Sequence, residues 1–241
     1  MDFNKDCKLF LKDLYYYDIT SCHYQILQKL GIDTTDIPAD DKIQRNVMIG
    51  KMIRSNPRLG SSLRSITVST IDDYIAQNNI KDEDIILRQY DGFISKKQLS
   101  YTNFGLSLDL HHYFVYMIIS FDRKWYIALD SNNQIIVKGI PHKYDGIVTI
   151  YKKLLNLNYS NRKSIFVGLD KIRELVLNSD DPKLYCIPTS NNDYNVYLKD
   201  YGEVELSEGM VGIMDTEDID REKYFNYYIR PFSETITTEF I

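Results

Sequence analysis

The sequence predicts an α+β fold built on an antiparallel sheet. Three observations predict it. Aromatic and β-branched runs read as strands, capped segments of helical period lie between them, and an Asp91-Gly92 pair sits between two apolar runs. An Asp-Gly pair in that setting is a strong hairpin signal. The 241 residues suffice for one large domain or two small ones, with a core that needs no staples.

The elements follow in order. Residues 8–18, KLFLKDLYYYD, read as a strand that ends on a single aspartate. Residues 20–30 read as a helix, with Thr20 or Ser21 as its cap and Gly31 as its end. After the loop IDTTDIPAD, residues 40–55 read as a second helix with Asp40 and Asp41 at its positive end. Asn56-Pro57 breaks or kinks it, because proline lacks the N–H that an interior turn requires. A third helix, SLRSITVSTIDDYIAQNN, carries Leu63, Ile66, Ile71 and Ile75. DIILRQYDGFISKKQL then reads as two strands around Asp91-Gly92, and residues 112–138 as further strands with a turn at Ser131-Asn132-Asn133. Residues 143–157 and 168–178 read as helices. The last sixty residues are mixed, with an acidic loop, MDTEDIDREK, before a tyrosine-rich finish, YFNYYIRPF. There is no internal repeat and no low-complexity tract.

Composition narrows the class. Hydrophobic content of 44 % and charged content of 26 % are ordinary for a globular protein. Twenty tyrosines are many, and tyrosine suits half-buried strands or stacking on a ligand. Three widely spaced cysteines, Cys7, Cys22 and Cys186, suggest neither a disulfide framework nor a zinc site, and so a reducing compartment. The start does not read as a signal peptide, and no apolar run is long enough to span a bilayer. The net charge of −5 argues mildly against nucleic acid, but its distribution does not. Residues 191–241 hold 12 acids and 4 bases, which leaves 22 acids and 25 bases before them. Residues 42–64 hold six bases and no acid. Such a run is either a solvated helix face or a phosphate-facing one.

Two carboxylates stand out by position. Asp18 ends a strand and Asp91 tips a hairpin, places where a sheet can show a charge to solvent. Asp18 can equally cap the next helix, and Asp91 can simply make its turn. Between them, Lys42, Asn46 and Gly50 fall at i, i+4 and i+8, one stripe of a helix with Arg45 beside it. A cation, an amide and bare backbone suit a charged, flat ligand. An interior glycine costs about 1 kcal/mol against alanine, so a reason for it is expected. His111-His112 are adjacent on a strand and point to opposite faces, which argues against a shared ligand site. His142, beside a proline, reads as a surface residue.

This ordered set resembles the palm of template-directed nucleic-acid polymerases, most closely family B DNA polymerases. The family's Asp-x-x-Ser-x-Tyr-Pro motif matches DITSCHY at Asp18 and Ser21, with His23 in place of Tyr and Tyr24 in place of Pro. Its Lys-x3-Asn-Ser-x-Tyr-Gly motif matches KIQRNVMIG at Lys42, Asn46 and Gly50. Its acidic hairpin tip matches Tyr90 and Asp91, with one Asp as in the His-Asp tip of family A and single-subunit RNA polymerases. Lys124-Trp125-Tyr126 and Lys138-Gly139 stand in the order of the family's later Lys-x-Tyr and Lys-Gly motifs.

The resemblance implies a palm with short fingers over residues 1–145, the fingers insertion at about 20–80, and a thumb-like region over 146–241. It implies a template-directed nucleotidyltransferase, a compact DNA polymerase or primase-like enzyme, using two Mg²⁺ or Mn²⁺ ions. Asp18 and Asp91 would hold the metal. Lys42 and Arg45 would grip the triphosphate, with Lys42 able to protonate the leaving group. Asn46 and Gly50 would lie near the incoming base pair and His23 under its sugar. Tyr90 would pack near the primer end, and Lys124, Tyr126, Lys138 and Gly139 would meet nucleic-acid backbone, although core packing explains Trp125 or Tyr126 equally well. The partners expected are template and primer, nucleoside triphosphates and a polypeptide supplying missing polymerase parts, with no membrane. The alternative is a non-catalytic palm-like subunit that binds nucleic acid or complements a partner. The abundance of Asn, Ile, Lys and Tyr suggests a viral or phage chain; the expected location is the cytoplasm, the host's if the chain is viral.

Overall fold

The computed structural model of the chain describes residues 2–140, 145–189, 193–211 and 213–240. Its fold is α+β, and it divides into two compact units. The first is Met1–Cys7 with Leu14–Tyr113, and the second is Lys8–Asp13 with Phe114–Ile241. His142 and the expected helix start at 143–144 lie outside the described residues.

The first unit contains β1 (Asp2–Phe3), β2 (Phe10–Ile19, from Leu14 on), α1 (Cys22–Lys29), α2 (Lys42–Ser55), α3 (Pro57–Gln77), β3 (Ile85–Arg88), β4 (Gly92–Ser95), β5 (Asn103–Phe104) and β6 (Leu106–Ile119, as far as Tyr113). Its sheet runs in the order β1-β3-β4-β2-β6. Period-two alternation sends Tyr17 and Ile19 into a core with Leu27, Leu63, Ile71, Tyr74, Phe93 and Leu108. Full burial of each such apolar side chain contributes about 1.5–3 kcal/mol. Tyr16 and Asp18 fall on the other face.

The helix boundaries have local causes. Asp41 Oδ1 accepts the backbone N–H groups of Ile43 and Gln44, both at 3.0 Å, which satisfies the first turn of α2. The expected break at Asn56-Pro57 is real: Asn56 caps α3 and Pro57 occupies its first position. Gly31, at φ 68°, follows α1 as expected. Ser21 does not cap α1 through its side chain, however; it takes a left-handed conformation at φ 52° with no side-chain bond. The chain turns there through backbone geometry instead.

The second unit contains the remaining parts of β2 and β6, with β7 (Tyr126–Asp130), β8 (Ile135–Lys138), α4 (Asp145–Leu155), α5 (Arg162–Asn178), β9 (Ile187–Pro188), β10 (Tyr194–Leu198), β11 (Gly202–Leu206), α6 (Glu208–Val211), α7 (Arg221–Tyr224) and α8 (Arg230–Phe240). β6, β7 and β8 pair antiparallel, and β9–β11 form a second small sheet. The expected turn after β7 is tied by Asp130 Oδ1, which accepts from Asn132 and Gln134 N–H at 2.9 and 2.8 Å. The tyrosine-rich finish is helical, with a π turn over Phe225–Ile229 joining α7 to α8. Thr235 Oγ1 donates to the Ile119 carbonyl at 2.7 Å, which fastens α8 to β6.

Candidate functional site

A cleft of about 500 Å³ opens in the first unit, and it gathers residues from four separate stretches of chain. Asp18 reaches it from the end of β2. Thr20, Ser21, His23 and Tyr24 line it from the turn and first residues of α1. Lys42, Arg45, Asn46, Ile49, Gly50 and Ile53 line it from α2, Tyr90 and Asp91 from the β3–β4 hairpin, and His111 from β6.

Antiparallel pairing brings the two acidic residues onto neighbouring strand ends. Asp18 stands opposite Gly92 across β2 and β4, and Ile19 N–H donates to the Asp91 carbonyl at 2.8 Å. The acids therefore sit one register position apart on paired strand ends. Gly92 makes the approach possible. A Cβ there would lie 2.2 Å from the Tyr17 carbonyl oxygen and 3.1 Å from Asp18 Oδ1. Two neighbours register both charges. The Tyr16 hydroxyl has its pKa pushed up by burial first, then by Asp18 and Asp91. Cys22 is pushed up to about 11 by burial, helped by Asp91 and Asp18 and opposed by a hydrogen bond with Thr67. Tyr16 O–H also donates to Gln89 Oε1 at 3.1 Å.

On the α2 side, Lys42 and Asn46 are exposed and share the stripe with Gly50, as their spacing predicts. Arg45 is only 8 % exposed. Its guanidinium donates to the Ala39 carbonyl and lies 5.9 Å from the centre of the Tyr24 ring, so it is held in place beside the stripe. Apart from its chain neighbours and its own helix backbone, a Cβ at Gly50 would meet nothing within 4 Å, so no packing against the rest of the chain demands the glycine. Gly60 contrasts with it, because a Cβ there would come within 2.7 Å of Ile53.

His23 Nε2 and the Tyr90 hydroxyl lie 3.1 Å apart, with the rings edge to face at 5.5 Å. Burial holds the His23 pKa below the usual histidine value, with Asp91 acting against it. Two of the expected residues thus form a direct contact across the cleft.

The sequence reading missed His111. The ring reaches the cleft, and its Nε2 lies 3.8 Å from Asp18 Oδ2. Adjacency on a strand argues against a site shared by the two histidines but says nothing about a partner on the next strand. The signal was present one step earlier. In GLSLDLHH, Leu106 and Leu108 are buried while Ser107 and Asp109 are exposed, so β6 begins at Leu106 rather than 112. Thr20 Oγ1 donates to Asp109 Oδ2 at 2.6 Å, two residues before His111.

The remaining expected residues belong to the second unit. Lys124 is exposed and pairs with Asp122 at 3.2 Å. Lys138 is exposed, and Gly139 has a φ of 91°. Tyr126 is 0 % exposed, which supports its reading as core packing.

Among the described residues, no group of three or more His, Cys, Asp or Glu side chains stands ready to hold a metal ion. Asp18 and Asp91 both line the cleft, and carboxylate oxygens are the donor type that Mg²⁺ takes while keeping several waters. No described helix is long and apolar enough to cross a membrane.

The antiparallel sheet with its helices is an α+β arrangement consistent with a palm-like fold. The likeness extends to a solved structure: the family B DNA polymerase from the hyperthermophilic archaeon Pyrobaculum calidifontis is similar at a TM-score of 0.54 and 11 % identity. The similarity covers 95 % of this chain and 45 % of that polymerase, so the chain spans less than half of its length. At that identity it is the fold that is shared. No family model and no curated protein matches the sequence.

Proposed function

We propose that this chain is a template-directed nucleotidyltransferase, a compact DNA polymerase or primase-like enzyme. One observation carries the reading: two carboxylates remote in sequence line the same cleft as a helix stripe of cation, amide and glycine. Phosphoryl transfer needs that pairing, because a triphosphate and its leaving group must be neutralised from both sides. The fold of the similar polymerase supports it.

In the reaction, a primer hydroxyl gives up its proton to solvent as its oxygen forms a bond to the α-phosphorus, and the bond to the departing pyrophosphate breaks. Asp18 and Asp91 would hold two Mg²⁺ or Mn²⁺ ions. When bound, these ions offset the negative charge that grows on the attacking and leaving oxygens. Lys42 and Arg45 bind the triphosphate, and Lys42 supplies a proton to the pyrophosphate oxygen. Asn46 and Gly50 leave room along α2 for a flat base. His23 and Tyr90, in contact with each other, bound the sugar and primer side. The thumb-like role of residues 146–241 and the backbone contacts of Lys124, Lys138 and Gly139 belong to the same proposal.

Incubation with primed and unprimed templates, nucleotides and Mg²⁺ or Mn²⁺ tests it. Extension is expected from the wild type and is expected to fall about a thousandfold or more in Asp18→Asn and in Asp91→Asn. Product that persists in either variant refutes the assignment. Tight single-strand binding without product identifies a non-catalytic palm-like subunit instead.

A further inference from the structure

The second unit carries an aromatic patch at its surface. Trp125, the chain's one tryptophan, stands just before β7 and is half-buried. Its ring lies 19° from parallel to that of Tyr228, with the centres 6.1 Å apart. Tyr227 stands edge-on to both, 5.3 Å from Trp125 and 4.8 Å from Tyr228. Tyr228 is buried and forms the floor, whereas Tyr227 is 49 % exposed. The Phe121 N–H donates to the Pro231 carbonyl at 3.0 Å, which ties the turn before Trp125 to the start of α8. Two rings thus stay at the surface on a braced base.

Charge sets the patch apart from its surroundings. Residues 191–241 hold 12 acids and only 4 bases, and two of those four, Lys223 and Arg230, flank Tyr227 about one helical turn away on either side. Lys223 Nζ lies 4.8 Å over the ring of Tyr197, whose centre is 6.1 Å from that of Tyr227. Lys124 precedes Trp125, with its side chain 70 % exposed. The acids beside these cations are engaged: Asp122 pairs with Lys124 at 3.2 Å and Glu234 with Arg230 at 2.7 Å, while Glu203 accepts from Asn195 at 2.9 Å. Exposed pairs of this kind are worth little, so a phosphate can take the place of the carboxylates. Ring faces beside cations suit unpaired bases, which stack on aromatic side chains whatever their sequence while the cations meet the phosphates between them. An acidic peptide would use the cations but not the ring faces, and a duplex keeps its base faces stacked. We propose that Trp125 and Tyr227 form a platform on which the bases of a single-stranded nucleic acid stack, with Lys124, Lys223 and Arg230 meeting its phosphates. The proposal shares with the function above only the class of partner. It uses neither Asp18 nor Asp91, and it holds for an enzyme and for a non-catalytic subunit alike.

The single tryptophan is its own reporter. The whole chain, without nucleotide or metal, is titrated with an oligothymidylate of about eight residues and with an abasic oligomer of the same length. Saturable quenching of Trp125 fluorescence by the oligothymidylate is expected, with the abasic oligomer bound about tenfold or more weakly. That comparison needs no variant. By anisotropy of a labelled oligothymidylate, Tyr227→Ala and Trp125→Ala are each expected to weaken binding about tenfold, and Tyr227→Phe, which keeps the ring, to retain it. Equal affinity for the abasic oligomer, absence of quenching, or unchanged affinity in the folded alanine variants overturns the proposal. Fluorescence that changes with protein concentration alone assigns the patch to a second copy of the chain and overturns it as well. Quenching by the oligothymidylate in a chain that extends no primer leaves the platform standing while the polymerase reading falls.

Discussion

Glycine 92 and glycine 50 show how one residue type answers opposite demands. The Asp-Gly pair marks a hairpin, but Gly92 has no positive φ, so turn geometry is not what requires it. Close approach of the chains requires it, because a Cβ would lie 2.2 Å from the Tyr17 carbonyl oxygen. Gly92→Ala is therefore expected to lower stability by about 1–3 kcal/mol and to push Asp18 from its position, read by urea unfolding. Gly50 is the reverse case. Beyond its chain neighbours and its own helix backbone, nothing lies within 4 Å of a Cβ built there, so alanine fits and gains helix propensity. Gly50→Ala is expected to stabilise the fold by up to about 1 kcal/mol while weakening nucleotide binding in a calorimetric titration. Equal affinity in the more stable variant would remove the ligand from α2. The helix cost of Gly50 was legible in sequence, whereas the crowding at Gly92 was not, since it depends on a strand more than seventy positions away.

At the scale of elements, boundaries with a chemical punctuation mark were legible. Asn56-Pro57 divides α2 from α3, Asp41 starts α2, and Gly31 follows α1. Elements lacking such marks were not. β6 begins six residues before the expected strand, the three short strands β9–β11 lay unread in the mixed C-terminal stretch, and nothing in YFNYYIRPF announced a π turn. The start of β6 mattered most, because it carries His111 to the cleft. For α2, the cap and the site are linked mechanically. Asp41 fixes the first turn through two N–H groups, and Lys42 is the first residue of that turn. Asp41→Ala is expected to cost about 0.5–2 kcal/mol and to weaken triphosphate binding through fraying of Lys42. Asp41→Ser retains a capping oxygen and is expected to restore both. Recovery of stability without recovery of binding would assign the carboxylate a more direct part in the site.

On the scale of the whole molecule, the motifs gave the order of the site's parts but not their convergence. Asp18, Lys42 and Asp91 could be named from sequence, yet nothing local sets two strand ends one register position apart beneath α2. That comes from the strand order β4-β2-β6 of the first unit. Charge follows a similar logic. The net value of −5 conceals six bases and no acid in residues 42–64, over α2 and the start of α3. If this segment faces phosphates, it governs the salt dependence of binding, since each neutralised phosphate of a single strand adds about 0.7 to the slope of log K against log salt. Lys51 and Arg58 are exposed and lie outside the lining of the cleft, so their loss spares it. Replacing both by glutamine is expected to flatten that slope by about 1.4 for single-stranded DNA, with folding unchanged. An unchanged slope would mean that the basic run is a solvated face, and that nucleic acid, if bound, lies elsewhere on the chain.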